Sequence, residues 1–296
     1  MAQLTQRRPE NVAGNVYVDR TCIDCDTCRW MAPEVFQRVD HQSVVYHQPQ
    51  TEAQHLRAMQ ALLSCPTASI GTVEKPEDIK TVQASFPIPI TETVYHCGYH
   101  AETSFGAASY LIVRPEGNVL VDSPRFSVPL VNQLEALGGV RYLYLTHRDD
   151  VADHQKFHDR FGCDRLLHED DITARTQGVE HRLAGTKPID FADDLRIIPV
   201  PGHTKGHTVL LYQNTVLFSG DHVAWSDKLK HLYAFRGACW YSWDELIISM
   251  KNLADYDFEW VLPGHGRRHH ASREEMRQSM QRCIEWMQKP DAPSGW

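Results

Sequence analysis

The sequence predicts a mixed α/β chain in two parts, a small α+β module followed by a larger α/β catalytic domain, and three observations carry the prediction. Near the amino terminus a closely spaced cysteine triplet, Cys22, Cys25 and Cys28, is followed much later by Cys65-Pro66. From Thr146 onward, four short motifs rich in histidine and aspartate each come directly after a run that reads as a β-strand. Between the two regions, Ser85-Phe86-Pro87-Ile88-Pro89-Ile90 reads as a stiffened linker, because two prolines one residue apart favour extended backbone. A chain of 296 residues is long enough for two domains that each bury a core.

In order along the chain, residues 1–15 read as a flexible polar tail, 16–80 as the cysteine-bearing module, 81–92 as the linker and 93–296 as the catalytic domain. Within the module, Thr51-Glu52-Ala53-Gln54 has the form of a capping box, in which two side chains satisfy amides at a helix start. The helix it opens carries Leu56, Met59, Leu62 and Leu63 on its inner side and delivers Cys65. In the catalytic domain, strand-like runs cover residues 142–146, 195–200, 215–218 and 260–262. Helical patterns run over residues ~150–161 and ~272–287, the second with Met276, Met280, Ile284 and Met287 on one face suited to core packing. Trp225, Tyr233, Phe235, Trp240, Tyr241 and Trp243 crowd a single segment, which reads equally as a roof over a site or as packing of an irregular insertion. There is no internal repeat.

The four motifs are Thr146-His147-Arg148-Asp149-Asp150-Val151-Ala152-Asp153-His154, Pro201-Gly202-His203-Thr204-Lys205-Gly206-His207, Ser219-Gly220-Asp221-His222 and Pro263-Gly264-His265-Gly266. Imidazole nitrogens and carboxylate oxygens are the usual ligands of Zn²⁺, Fe²⁺ and Mn²⁺, and a pair of such ions suits the activation of water. Ligands at strand ends are held rigidly, as a metal cage requires.

Order and spacing resemble the metallo-β-lactamase superfamily over residues ~93–270. The resemblance implies an αββα sandwich with a metal site at one edge of its two sheets. That family's first motif is His-x-His-x-Asp-His, its next His comes from a Pro-Gly-His-Thr-x-Gly-His turn, and a bridging Asp and a last His follow. Carried over by position, His203, Asp221 and His265 are ligands, with Asp221 as the bridge. Val119-Leu120-Val121-Asp122 is similar to the family's early strand, which ends in an Asp that orients the metal loop. His207 and His222 read as neighbours that support the ligands by hydrogen bonds.

The first motif departs from the family pattern. Counted from His147, the slot of the second His holds Asp149, and the Asp-His pair arrives two residues late, at Asp153-His154. Counted back from His154, Asp149 and Val151 fill the two His slots. One imidazole is lost either way. The simplest repair keeps His147, Asp149, Asp153 and His154 as ligands, with Asp150 as the alternative to Asp149, and Asp149, Asp153 and Asp221 as the catalytic carboxylates. An extra carboxylate hardens the site and moves its preference from zinc toward iron or manganese. Two divalent ions, Zn, Fe or Mn, are expected, with a degenerate site that has lost one metal as the alternative.

The cysteine spacing C-x2-C-x2-C with a remote Cys-Pro resembles the bacterial-type ferredoxins, which use it to hold [4Fe–4S] clusters. In two-cluster versions a fourth Cys stands three residues beyond the run. Here that slot is Ala32, so the resemblance implies one cluster, on Cys22, Cys25, Cys28 and Cys65. Structural zinc, the competing reading, usually takes two separated ligand pairs. Cys97, Cys163, Cys239 and Cys283 are dispersed and read as buried thiols. His96 and His100, near the first strand of the second domain, read as structural.

No apolar run approaches the roughly 20 residues that span a bilayer, and the amino terminus lacks the apolar core of a signal peptide. With free thiols and an unprotected cluster, a cytoplasmic location without membrane contact is expected. A net charge of −8 without a basic tract argues against nucleic acid as a partner. The expected activity is an enzyme's: hydrolysis of a small ester, thioester or related molecule by a metal-bound hydroxide, with an attached iron–sulfur module. The stretch after Gly266 is too short for the helical glutathione-binding domain of glyoxalase II relatives. Two alternatives stay open. One is a di-iron redox enzyme fed electrons by the cluster, directly or through a redox partner; the other is a cluster-based redox or iron sensor.

Overall fold

The computed structural model describes residues 2–291, which fall into two compact units, residues 2–141 with 152–163, and residues 142–151 with 164–291. Among the described residues no helix is long and apolar enough to cross a membrane.

The first unit contains the cysteine module. Its elements are β1 (Val16–Val18), α1 (Thr27–Met31), the hairpin β2 (Phe36–Val39) and β3 (Gln42–Val45), α2 (Glu52–Ser64) and β4 (Ile70–Thr72), which returns antiparallel to β1. The expected flexible tail is instead packed. The buried Asn11 side chain donates to the carbonyls of Arg8 and Val18 and accepts from the amides of Val18 and Val45, which ties the segment to two strands. Thr51 caps α2, its hydroxyl accepting from the Gln54 amide at 3.2 Å. The inner face of α2 is Ala58, Met59, Ala61 and Ser64, whereas Leu56 is exposed. Small residues let this helix lie close to α1, and the helical turn carries Leu56 to the opposite side.

The expected linker is also structured. It holds α3 (Ile79–Ala84) and β5 (Ile88–Pro89), and β5 pairs with β6 (Val94–His96). A proline is tolerated there because β5 is an edge strand. The antiparallel run continues through β7 (Tyr110–Ile112) and β8 (Val119–Val121), with α4 (Val128–Ala136) and α5 (His154–Phe161) completing the unit. Asp122, at the end of β8, is buried and takes a left-handed φ of 55°.

The second unit begins with β9 (Tyr142–Tyr144), followed by β10 (Asp164–His168) and β11 (His181–Leu183), which run parallel to one another. Then come β12 (Ile189–Ala192), β13 (Leu195–Pro199), β14 (Thr208–Tyr212), β15 (Val216–Gly220), the small ribbon β16 (Ala224–Ser226) and β17 (His231–Tyr233), α6 (Trp243–Leu253), β18 (Trp260–Pro263), β19 (His269–His270) and α7 (Arg273–Met287). A six-stranded sheet has the order β12-β13-β14-β15-β18-β19. Strands β14 and β15 are buried along their whole length, as strands covered on both faces are. Val209, Leu211, Leu217 and Val261 pack with Leu246, Met250 and Leu253 of α6 and with Met276, Met280 and Cys283 of α7. The methionine face of α7 is therefore core, and Ser272 with Glu275 closes a capping box at its start.

This topology explains why distant motifs meet. Strands β13 and β15 are both antiparallel to β14, so they run in the same direction, and β18 is parallel to β15. Their carboxyl ends open on one edge of the sheet, where His203, Asp221 and His265 follow β13, β15 and β18.

Candidate metal centres

In the second unit, two imidazoles face two carboxylates. His147 Nε2 lies 3.9 Å from Asp149 Oδ2 and 3.8 Å from Asp221 Oδ2. His203 Nε2 lies 3.4 Å from Asp149 Oδ2 and 3.7 Å from Asp221 Oδ2. Both Nε2 atoms are buried and make no hydrogen bond. Leaving polar nitrogens this way is costly unless a ligand takes their lone pairs, so the site fits a cation. Two overlapping triads have ligand atoms within 4.8 Å of one another: His147, Asp149 and His203, and His147, Asp150 and Asp221. His265 Nδ1 stands 2.8 Å from Asp221 Oδ1, and the His265 amide donates to the same oxygen at 3.0 Å.

The charge state follows from this packing. Burial and the neighbouring His203 push His147 down to about 4, with Asp221 and Asp149 opposing, so its imidazole is neutral at neutral pH. Burial pushes the Asp221 carboxyl up, but the imidazoles of His265, His203 and His147 outweigh it and hold Asp221 well below the usual carboxylate range. Burial likewise pushes Asp149 up, and His203, His147 and Arg148 bring it below its ordinary value. A neutral His147 imidazole beside ionised Asp149 and Asp221 fits the donor set a divalent cation takes.

Thr146 Oγ1 is 2.9 Å from His147 Nδ1, which fixes the ring and directs Nε2 to the carboxylates. His207 supports the site as an acceptor, its Nε2 receiving the Asp221 amide at 3.1 Å. Burial, then the neighbouring His203, pushes His222 down to about 3. Gly220 has φ 49°, and a side chain there would come within 2.6 Å of Thr146 Oγ1 and 2.8 Å of His207 Nε2.

The sequence alone had not singled out Asp171. This fully buried residue accepts from the Arg148 amide at 3.1 Å, the Thr204 hydroxyl at 2.5 Å and the Gly206 amide at 2.9 Å. One carboxylate thus ties the His147 loop to the His203 turn. Its only sequence signal is the acidic run Glu169-Asp170-Asp171 after β10. Most of the aromatic segment packs internally, as Trp243 does on Trp286. Trp240 differs: it is 60% exposed, its ring centroid is 6.2 Å from that of His203, and its amide donates to the His203 carbonyl.

Asp153 and His154 stand at the start of α5, in the first unit. Asp153 Oδ2 accepts from the Phe126 amide at 2.8 Å and Oδ1 from Lys156 Nζ at 2.8 Å, so its oxygens serve local structure. Of the first motif's aspartates, Asp149 and Asp150 have oxygens close to His147.

The second candidate centre lies in the first unit. Burial pushes the Cys25 thiol up to about 12, Thr27 pulls it down, and the neighbouring Cys65 and Cys22 thiols push it further up. Cys28 is raised by burial and by Cys25 and Cys22 in the same way. Cys25 thus has Cys22, Cys28 and Cys65 as neighbours, Cys28 also neighbours Cys22, and all four cysteines are free of disulfides. The amides of Ser43 and Ser69 donate to Cys22 Sγ at 3.4 Å and Cys65 Sγ at 3.2 Å. Such donors suit thiolates that share an iron–sulfur cluster.

Residues 18–72 match the family described as the 4Fe-4S single cluster domain of Ferredoxin I. A comparison with curated proteins finds no match. Among solved structures, the metallo-β-lactamase of Hirschia baltica is similar with a TM-score of 0.52 at 17% identity, covering 66% of this chain and 95% of the other. The metallo-β-lactamase of Pontibacter korlensis is similar with a TM-score of 0.51 at 18% identity, covering 68% of this chain and 97% of the other. At such identities the likeness speaks for the fold.

Proposed function

We propose, from a chain that joins a single-cluster [4Fe–4S] ferredoxin domain to a domain of the metallo-β-lactamase fold, that the second domain is a metal-dependent hydrolase of a small ester, thioester or related substrate. The observation that carries the reading is the pair of buried, unbonded nitrogens, His147 Nε2 and His203 Nε2, facing Asp149 and Asp221. In this proposal His147, Asp149 and His203 hold one divalent ion, Asp221 is shared, and Asp150 with His265 completes a second position. Asp153 serves the local structure at the start of α5. Bound cations would supply Lewis acidity and make water a stronger acid.

The chain's own residues supply the rest. Thr146, bonded to His147 Nδ1, holds the ring so that Nε2 faces the carboxylates. Asp149, with a side chain 42% exposed, is the carboxylate best placed to exchange a proton with solvent. Trp240 offers an apolar wall beside His203 for the body of a substrate. The net charge of −8 favours small molecules over nucleic acid, and the free cysteines suit a reducing cytoplasm.

A second reading, a redox enzyme that receives electrons from the cluster, is favoured by the carboxylates at positions 149 and 150, which suit iron. Anaerobic purification with metal and sulfide quantified separates the two, since zinc in the second domain supports hydrolysis and iron supports redox work. Esters and thioesters are then assayed with metal-replete protein, with Cys22→Ala and with His203→Ala. Hydrolysis that survives Cys22→Ala and is lost in His203→Ala is expected. Full hydrolysis in His203→Ala, or its loss in Cys22→Ala with the second domain folded and metal-loaded, would count against the proposal.

A further inference from the structure

Within the first unit, a buried chain of side chains leads to one cluster cysteine. His96, in β6, places Nε2 2.9 Å from His100 Nε2. His100 Nδ1 lies 2.7 Å from the Gly106 carbonyl and 3.0 Å from Thr27 Oγ1. Thr27 Oγ1 is in turn 3.3 Å from Cys25 Sγ. His96, His100 and Thr27 are all at most 1% exposed, so these bonds have no competition from water. Trp30 packs on both imidazoles, with ring centroids 5.1 and 6.1 Å away. Gly106, at φ 87°, is held so close that a side chain there would meet Cys25 Cβ at 2.9 Å and Sγ at 3.1 Å.

The proton positions follow from elementary rules. A carbonyl only accepts, so His100 Nδ1 carries the proton given to Gly106. In the neutral ring His100 Nε2 is then bare and accepts from His96 Nε2–H. The Thr27 hydroxyl has two outlets, the Gly106 carbonyl at 3.4 Å and Cys25 Sγ at 3.3 Å. His100 takes one lone pair of that carbonyl at 2.7 Å, which leaves Thr27 only the long, 3.4 Å contact there. A cysteine sulfur bonded to iron has no proton to give, so Thr27 becomes the donor and the sulfur the acceptor.

We propose that His96 and His100 are positioning residues that turn the Thr27 hydroxyl onto Cys25 Sγ and thereby raise the reduction potential of the cluster. Reduction moves one electron from an external one-electron donor onto the cluster; no covalent bond forms or breaks and no proton is transferred. The added charge rests partly on the sulfurs, so a donor to Sγ stabilises the reduced form more than the oxidised one. Residues from the sheet of the second domain, as the sequence divides the chain, would thus set a property of the ferredoxin domain.

The inference rests on the cluster assignment, and iron and sulfide content tests that assignment separately. The experiment is an anaerobic redox titration of the full-length reconstituted protein with dithionite, followed by visible absorption and electron paramagnetic resonance. Thr27→Val, which keeps the shape and removes the hydroxyl, is expected to shift the midpoint to a more negative potential at unchanged iron and sulfide content. Thr27→Ser is expected to restore it. If Thr27→Val does not hold a full cluster, His100→Phe, which frees the Gly106 carbonyl to draw the hydroxyl away, decides by the same negative shift. An unchanged midpoint in the fully loaded variant, or a shift that Thr27→Ser fails to restore, overturns the proposal.

Discussion

Replacing Asp171 by alanine tests whether the metal loops depend on a residue that never touches the candidate ion. Its carboxylate accepts from the Arg148 amide, the Thr204 hydroxyl and the Gly206 amide at 3.1, 2.5 and 2.9 Å, and the residue is fully buried. A hydrogen bond to a charged acceptor contributes about 1.5–3 kcal/mol, and a buried donor left without its partner costs about 1–3 kcal/mol. Water entering the space left by the truncation recovers part of this, so the expected loss is about 3–5 kcal/mol. For a domain of this size that lowers the melting temperature by about 10 °C. Arg148 is flanked by His147 and Asp149, and Thr204 adjoins His203, so the same change loosens three candidate ligands at once. Loss of support behind metal ligands typically costs about 10–100-fold in affinity. Thermal unfolding of metal-free protein reads the first effect, and competition with a chromophoric chelator reads the second. Asp171→Asn, which keeps the shape and part of the accepting capacity, should fall between. A melting temperature within about 2 °C of the parent together with unchanged metal affinity would refute the reasoning.

Three further outcomes are expected. His203→Ala should lose bound metal while Asp153→Asn keeps it, because Asp153 is held by the Phe126 amide and Lys156; equal losses by elemental analysis would make Asp153 a ligand after all. Burial pushes the Glu180 carboxyl up, but its hydrogen bonds with Arg165 win and hold it at about 2. A depressed carboxyl contributes stability that is present above its ordinary value of 4.5 and is lost as pH falls toward about 2, so Glu180→Gln should flatten an acid unfolding profile across that window. An unchanged profile would show that the Arg165 pair does not contribute to acid stability. Anaerobically reconstituted protein should be brown and bleach with dithionite; Cys65→Ala should weaken that colour and Cys163→Ala should not.

Residue order along the chain was enough to determine the fold class and to single out histidines and aspartates as candidate ligands. A strand that ends in a turn holds its next residues rigidly, so the strand runs before His147, His203, Asp221 and His265 were legible as local patterns, and the helix cap at Thr51 likewise. The cysteine module was legible for the same reason, since three of its thiols lie within one short loop and helix start. Only the tertiary structure shows which aspartates of the first motif lie close to His147. Asp149, Asp150 and Asp153 are chemically alike, and what separates them is a distant amide, that of Phe126, which engages Asp153. Asp171, and the bonds that join His96 and His100 to Thr27, depend on contacts between residues far apart in sequence. The packed amino-terminal segment does too: Asn11 is an ordinary polar residue until the ends of β1 and β3 come together around its side chain. Spacing reveals groups that a turn or a strand end holds in place. A carboxylate or imidazole whose partners come from another part of the chain acquires its role only when folding brings those partners within hydrogen-bond reach.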